Sequence, residues 1–105
     1  MPGRPKYNPD EVAALVLEGR LTSSMTVTKY LVNHDYDVRD LTTELLTTLS
    51  EHGSYIGSPR LKDGSIADEY RVFCESDDDW WYVKFYVNGD QLVVLVSCWW
   101  DGTVH

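Results

Sequence analysis

The chain lacks any apolar run near the roughly 20 residues of a membrane-spanning helix, and residues 1–7 are polar and proline-containing rather than hydrophobic. Neither a membrane span nor a secretory leader is expected, and cytoplasmic placement is the default. Cysteine is scarce. Cys74 and Cys98 form no CxxC pair and no disulfide framework, so both are expected to be reduced and buried in strands. Positive charge is scarce too. Nine Lys and Arg stand against 17 Asp and Glu, a net charge of −8, which disfavours indiscriminate binding to nucleic acid. Arg60, Lys62, Arg71 and Lys84 nonetheless fall in the C-terminal half and leave room for a local basic site.

Several chemistries lack their signatures. The chain has no Gly-rich phosphate loop, no GxSxG and no HExxH. Ser97 has no evident His and acid partner, which argues against a nucleophile. His34, His52 and His105 are scattered, and His52 reads as a complement to a helix dipole. The run Asp77-Asp78-Asp79 lacks the spaced ligands of a calcium loop and reads as a solvated hairpin tip. No metal and no cofactor are expected.

What is present suffices for one core: 43% apolar residues in 105 fit a single domain. Residues 1–7 read as a flexible arm ahead of a domain over 8–105. Asn8-Pro9-Asp10-Glu11 starts a helix, with Pro in the first turn and acids at the positive dipole end. Val12, Leu15 and Val16 share one face, and Gly19 stops it. Leu21 to Met25 reads as a polar loop. A second helix is expected from about Thr26 to His34. A third, capped by Asp37 with Asp40 three residues on, carries Val38, Leu41, Leu45 and Leu49 at helical spacing until Gly53. Strands are then expected over residues 54–58, 66–75, 80–87 and 91–100. The fold class is α+β, three N-terminal helices followed by an antiparallel meander.

The stretch from Trp80 to Trp100 is the most informative. Two β-rich runs flank Asn88-Gly89, a strong hairpin signal. A two-residue turn there pairs Val87 with Asp90, Phe85 with Leu92, Val83 with Val94 and Trp81 with Val96, which makes one apolar face. The other face collects Trp80, Tyr82, Lys84 and Tyr86 opposite Ser97, Leu95, Val93 and Gln91. Aromatic rings, a cation and a hydroxyl on one surface point to binding of RNA bases or of a partner protein.

Leu15-Val16-Leu17-Glu18-Gly19-Arg20-Leu21, Leu49-Ser50-Glu51 with Tyr55, Asp68-Glu69-Tyr70-Arg71, Tyr82-Val83-Lys84-Phe85 and Leu95-Val96-Ser97 follow, in order and spacing, local motifs of one family. Over roughly residues 9 to 100 the chain resembles the MqsR toxins, a branch of the RelE-like bacterial ribonucleases of type II toxin–antitoxin systems. The resemblance implies a RelE-like fold, metal-independent mRNA cleavage and an antitoxin partner. The family's catalytic Tyr falls on Tyr82, while its Lys, Gln and C-terminal Lys positions fall on Ile56, Ala67 and Trp99. Lys62, Arg71 and Lys84 are the cations available in their place.

The expected site is therefore Tyr82 with Lys84, Arg71 and Lys62 as the catalytic set, and Trp80, Tyr86, Ser97 and Trp99 as the binding surface. The leading expectation is a toxin-like mRNA endoribonuclease. The alternative is a non-catalytic interaction module on the same scaffold. Metal-free cleavage needs a base, an acid and cations for the phosphorane, and a tyrosine with pKa near 10 serves as a base only if cations lower that value. Partners are an antitoxin or other protein, with mRNA under the first reading. The acidic balance makes a neutral or basic protein partner fit better than an acidic one.

Overall fold

Side-chain caps fix where the helices begin. In the computed structural model, which describes residues 3–102, the Asn8 carboxamide oxygen accepts from the Asp10 N–H at 2.8 Å and opens α1, Pro9–Leu17. Gly19, at φ 82°, takes the left-handed conformation that ends it. The Ser24 hydroxyl accepts from the Val27 N–H to open α2, Met25–Asn33, and the Asp37 carboxylate accepts from the Asp40 N–H to open α3, Val38–Thr47. The Thr47 and Thr48 hydroxyls bond back to the carbonyls of Thr43 and Glu44, which competes with helix continuation. The expected third helix accordingly breaks at Thr48, and a short α4, Leu49–His52, completes it. A Cβ on Gly53 would lie 2.5 Å from the Leu49 carbonyl oxygen, so the step from α4 into the sheet requires glycine. No described helix is long and apolar enough to cross a membrane.

The sheet has five strands in the order β1-β5-β4-β3-β2, with β1 Leu21–Ser23, β2 Gly53–Gly57, β3 Asp68–Cys74, β4 Asp79–Val87 and β5 Val93–Trp100. The four C-terminal strands form the expected antiparallel meander. The sheet as a whole is mixed, because residues 21–23 do not form a loop. They pair in parallel with Val93, Val94 and Leu95, and the Val93 N–H to Arg20 and Ser24 N–H to Leu95 hydrogen bonds extend the ladder. A strand thus lies between the first two helices.

The helices bury Val12, Val16, Val27, Leu31, Leu41, Leu45, Leu46 and Leu49 against one face of the sheet. That face presents Tyr70, Val72, Cys74, Trp81, Val83, Phe85, Val93, Leu95 and Cys98. The β4 alternation expected from sequence holds, but the β5 phase is opposite. The hairpin loop is not the two-residue Asn88-Gly89 turn. It runs from Asn88 to Leu92, with the Asn88 side chain accepting from the Asp90 and Leu92 N–H groups and Gln91 at φ 59°. Val87 therefore pairs with Val93 and Phe85 with Leu95. A bulge then shifts the register so that Lys84 pairs with Ser97 and Val83 with Cys98. Val93 and Leu95 belong to the core, not to the open face, while Leu92, Val94 and Val96 are only partly buried.

Two acids expected to be solvated are structural. Asp77 accepts from the Trp81 indole N–H at 2.9 Å and from the Tyr36 hydroxyl at 2.9 Å. Asp79 accepts from its neighbour's backbone at Trp80 and from the Trp100 indole. The arm, expected to be flexible over 1–7, is pinned at its inner end. The backbone N–H groups of Lys6 and Tyr7 donate at 2.9 Å each to the fully buried carboxylate of Asp68. His52 pairs with Glu75 at 2.9 Å, His34 bonds the Tyr30 carbonyl, and His105 lies outside the described residues.

Tyr70 and Phe85 stack in the core with centroids 6.1 Å apart, and the buried Tyr70 hydroxyl has no hydrogen-bond partner. Opposite outcomes are expected at these two rings. Tyr70→Phe removes an unsatisfied buried donor and should stabilise the fold by about 1 kcal/mol. Phe85→Ala leaves a cavity and should cost roughly 3–5 kcal/mol. Urea unfolding of the two variants beside the wild type checks both; a destabilised Tyr70→Phe protein would show that the hydroxyl is satisfied in solution.

Candidate functional site

Strand alternation sends one set of side chains away from the helices. On β4 these are Trp80, Tyr82, Lys84 and Tyr86, all half-buried. The register places Phe73, Arg71 and Glu69 of β3 beside Trp80, Tyr82 and Lys84. On the other side stand Trp99 beside Tyr82, Ser97 beside Lys84 and Val94 beside Tyr86. The helices bury their apolar residues in the core on the opposite side, so this face is the open side of the sheet. Trp99 is 45% exposed.

Contacts within the face organise it. The Tyr82 and Trp99 rings stack with centroids 4.5 Å apart and planes 15° from parallel. Phe73 meets Trp80 edge to face at 5.5 Å, and the Arg71 guanidinium lies 4.5 Å over the Trp80 ring. Arg71 also donates through Nε to Asp101 at 2.8 Å. The sequence suggested Glu69 as the acid beside Arg71. Glu69 instead accepts the hydroxyl proton of Tyr82. Arg71 thus anchors the end of β5 and Glu69 holds Tyr82.

Of the expected catalytic set, Tyr82, Lys84 and Arg71 share this face. Lys62 does not join them by a hydrogen bond or ion pair among the described residues. It is exposed on the Leu61–Gly64 turn that closes the Arg60–Ile66 bridge. The expected binding residues Trp80, Tyr86, Ser97 and Trp99 all lie on the face, although Ser97 stands opposite Lys84 rather than Trp80. Lys84 has no carboxylate within ion-pair distance among the described residues. Glu69, Phe73 and Asp101 were not foreseen as site residues. Glu69 and Phe73 were accessible to reasoning in principle, since a β3–β4 hairpin closed at Cys74 and Asp79 sets them on this face.

The electrostatics of Tyr82 run against base chemistry. Burial first, then the hydrogen bond and the charge of Glu69, push its pKa well above the ordinary value of 10. A general base needs the opposite shift. Among the described residues no three His, Cys, Asp or Glu side chains are placed to hold a metal ion.

Tyr82 shares its upward shift with Tyr7, Tyr36 and Tyr70, the last two pushed up to about 12 chiefly by burial. Each group binds its proton more tightly folded than unfolded. Stability should therefore be fully present below about pH 10 and fall as pH rises above it, where the unfolded chain ionises first. Urea denaturation across that range should show the fall, and Tyr82→Phe should lessen it. An unchanged alkaline profile in Tyr82→Phe would mean that Tyr82 ionises as freely in the folded protein as in the unfolded chain.

No family model, curated protein or solved structure matches the chain, so any function assigned to this face rests on the geometry of the face itself.

Proposed function

We propose that this domain is a non-catalytic protein-interaction module and that the open sheet face is its docking surface. The observation that carries the reading is the pairing of Tyr82 with Glu69 on a half-exposed aromatic face. The residue best placed to act as a base is held protonated, while Trp80, Tyr86 and Trp99 offer rings at the surface. Trp, Tyr and Arg are the residue types that dominate interface hot spots. Arg71, the strongest candidate for a phosphate clamp, is engaged by Asp101 and Trp80. The helices stacked on one side of a largely antiparallel sheet suit a RelE-like scaffold. Buried free cysteines, with the Cys98 thiol pushed up to about 12 by burial, suit a reducing cytoplasm.

The competing reading is a toxin-like, metal-independent mRNA endoribonuclease whose partner is an antitoxin. The shared placement of Tyr82, Arg71 and Lys84 on one face favours it. For that chemistry Tyr82 would have to exchange Glu69 for a cation, and Arg71 would have to leave Asp101. The interaction reading requires neither rearrangement.

Purified protein should leave RNA intact, and overexpression should not arrest growth. A protein co-purifying with the wild type should be lost in Trp99→Ala and Trp80→Ala, each weakening the complex by more than about 1 kcal/mol, with circular dichroism unchanged. RNA cleavage that disappears in Tyr82→Phe would transfer the assignment to the nuclease.

A further inference from the structure

The docking surface has an end of marked charge, and the chemistry there says what kind of partner it fits. This inference rests on the open face being a docking surface. At the end where β3 turns into β4, carboxylates crowd around the exposed indoles. Glu75 and Asp78 are exposed on the turn, and Asp77 and Asp79 anchor it. Glu44 accepts from Ser76 on the helix side, and Asp101 closes the β5 side. Against them stands Arg71, whose guanidinium lies on Trp80 and pairs with Asp101. Much of the chain's net charge of −8 is therefore gathered beside Trp80, Trp99 and Trp100. The last two are 45% and 47% exposed.

An indole face beside carboxylates attracts a cation twice, through the ring quadrupole and through the charge. The fold already contains one such arrangement, since Arg71, Trp80 and Asp101 form a guanidinium sandwiched between ring and acid. A planar guanidinium suits this geometry better than an ammonium, because it stacks and donates in its plane at once. An RNA strand would bring phosphates against the same acids and be repelled.

We propose that the partner is a protein segment rich in arginine with apolar residues between. Its guanidinium groups stack on Trp99 and Trp100 and pair with the carboxylates of the β3–β4 turn, while its apolar side chains rest on Tyr82 and Tyr86. The acidic end steers the encounter and the rings hold the complex.

The test uses the full chain and short acetylated, amidated peptides that alternate Leu with Arg, Lys, Glu or Ser, beside an oligouridine RNA. Fluorescence anisotropy at two salt concentrations reads binding. The Arg peptide is expected to bind most tightly, the Lys peptide about threefold or more weaker, and the Glu peptide not at all. Glu75→Gln with Asp78→Asn should weaken Arg-peptide binding about tenfold and flatten its salt dependence. Both changes keep the fold, since Gln retains a partner for His52 and Asn tolerates the left-handed backbone at Asp78, φ 52°. Glu11→Gln with Glu51→Gln removes the same charge from the helix side and should change little. Trp99→Ala should weaken the Arg peptide as much as the turn variant does. Equal loss in both charge variants would reduce the effect to diffuse attraction and overturn the proposal. Tight binding of the Ser peptide, sensitive to Trp99→Ala and indifferent to the turn variant, would overturn the arginine-rich partner while leaving the docking face standing. RNA binding sensitive to Trp99→Ala, with no peptide bound, would overturn both.

Discussion

The indole N–H of Trp81 must find an acceptor in a place where water does not reach, and much of the structure is arranged around that requirement. Trp81 is fully buried on the central strand. A buried donor left unpaired would cost a few kcal/mol, and the acceptor is Asp77, four residues earlier in the chain. That hydrogen bond fixes the path of the β3–β4 turn. The same carboxylate takes the hydroxyl of Tyr36, whose ring meets the Trp81 ring edge to face at 5.1 Å. The connection between α2 and α3 is thereby fastened to the end of the sheet. Ser76, beside Asp77, donates to Glu44 of α3, so the turn is held to the helices a second time. The crowding of carboxylates at this end follows from what the core demands: acids are there first to satisfy buried donors, and their charge is then available at the surface.

On the opposite side of the sheet the logic differs. No helix packs on this side, and the aromatic residues meet one another. Tyr82 lies on Trp99, Phe73 against Trp80, and Arg71 bridges ring and acid. These contacts hold side chains in fixed rotamers before any partner arrives, which lowers the ordering cost of binding. Such a layer is pre-organised but chemically quiet. Glu69 keeps the Tyr82 proton in place and Asp101 absorbs the charge of Arg71.

The residues that the sequence placed well are those whose position is decided locally. Trp81, Val83 and Phe85 alternate with Trp80, Tyr82 and Lys84 within one strand, so their faces follow from a period of two. Helix starts at Asn8 and Asp37 are legible for the same reason, since a cap and its target are two or three residues apart. In β5 the run Leu92-Val93-Val94-Leu95-Val96 is apolar at every position and carries no phase of its own. The phase was set by the Asn88 side chain closing a longer loop and by a bulge opposite Lys84 and Phe85, neither of which hydrophobic patterning encodes. β1 was hidden because three residues are too few for periodicity. The roles of Glu69, Asp77 and Asp101 were hidden because each is defined by a partner on another element. The open face itself was recoverable, since most of it comes from β4; its electrostatics were not.

The parallel pairing of β1 with β5 has a consequence for how the chain reaches this structure. Ser24 and Val96 lie 72 residues apart in sequence yet meet through the Ser24 hydroxyl. During synthesis α1, β1 and α2 emerge long before the strand that receives them, and their apolar faces have no sheet to cover until the chain is nearly finished. Loop closure over such a span is entropically slow. The N-terminal third therefore waits in an open state, and assembly ends when the last strand docks. Tyr7 waits likewise for Asp68, and Tyr36 for Asp77. The C-terminal hairpin, whose contacts are local, is the piece able to form by itself and serve as the template. The strand that completes the docking face is thus the one that admits the N-terminal segments to the fold, so a chain shortened within β5 would lose both at once.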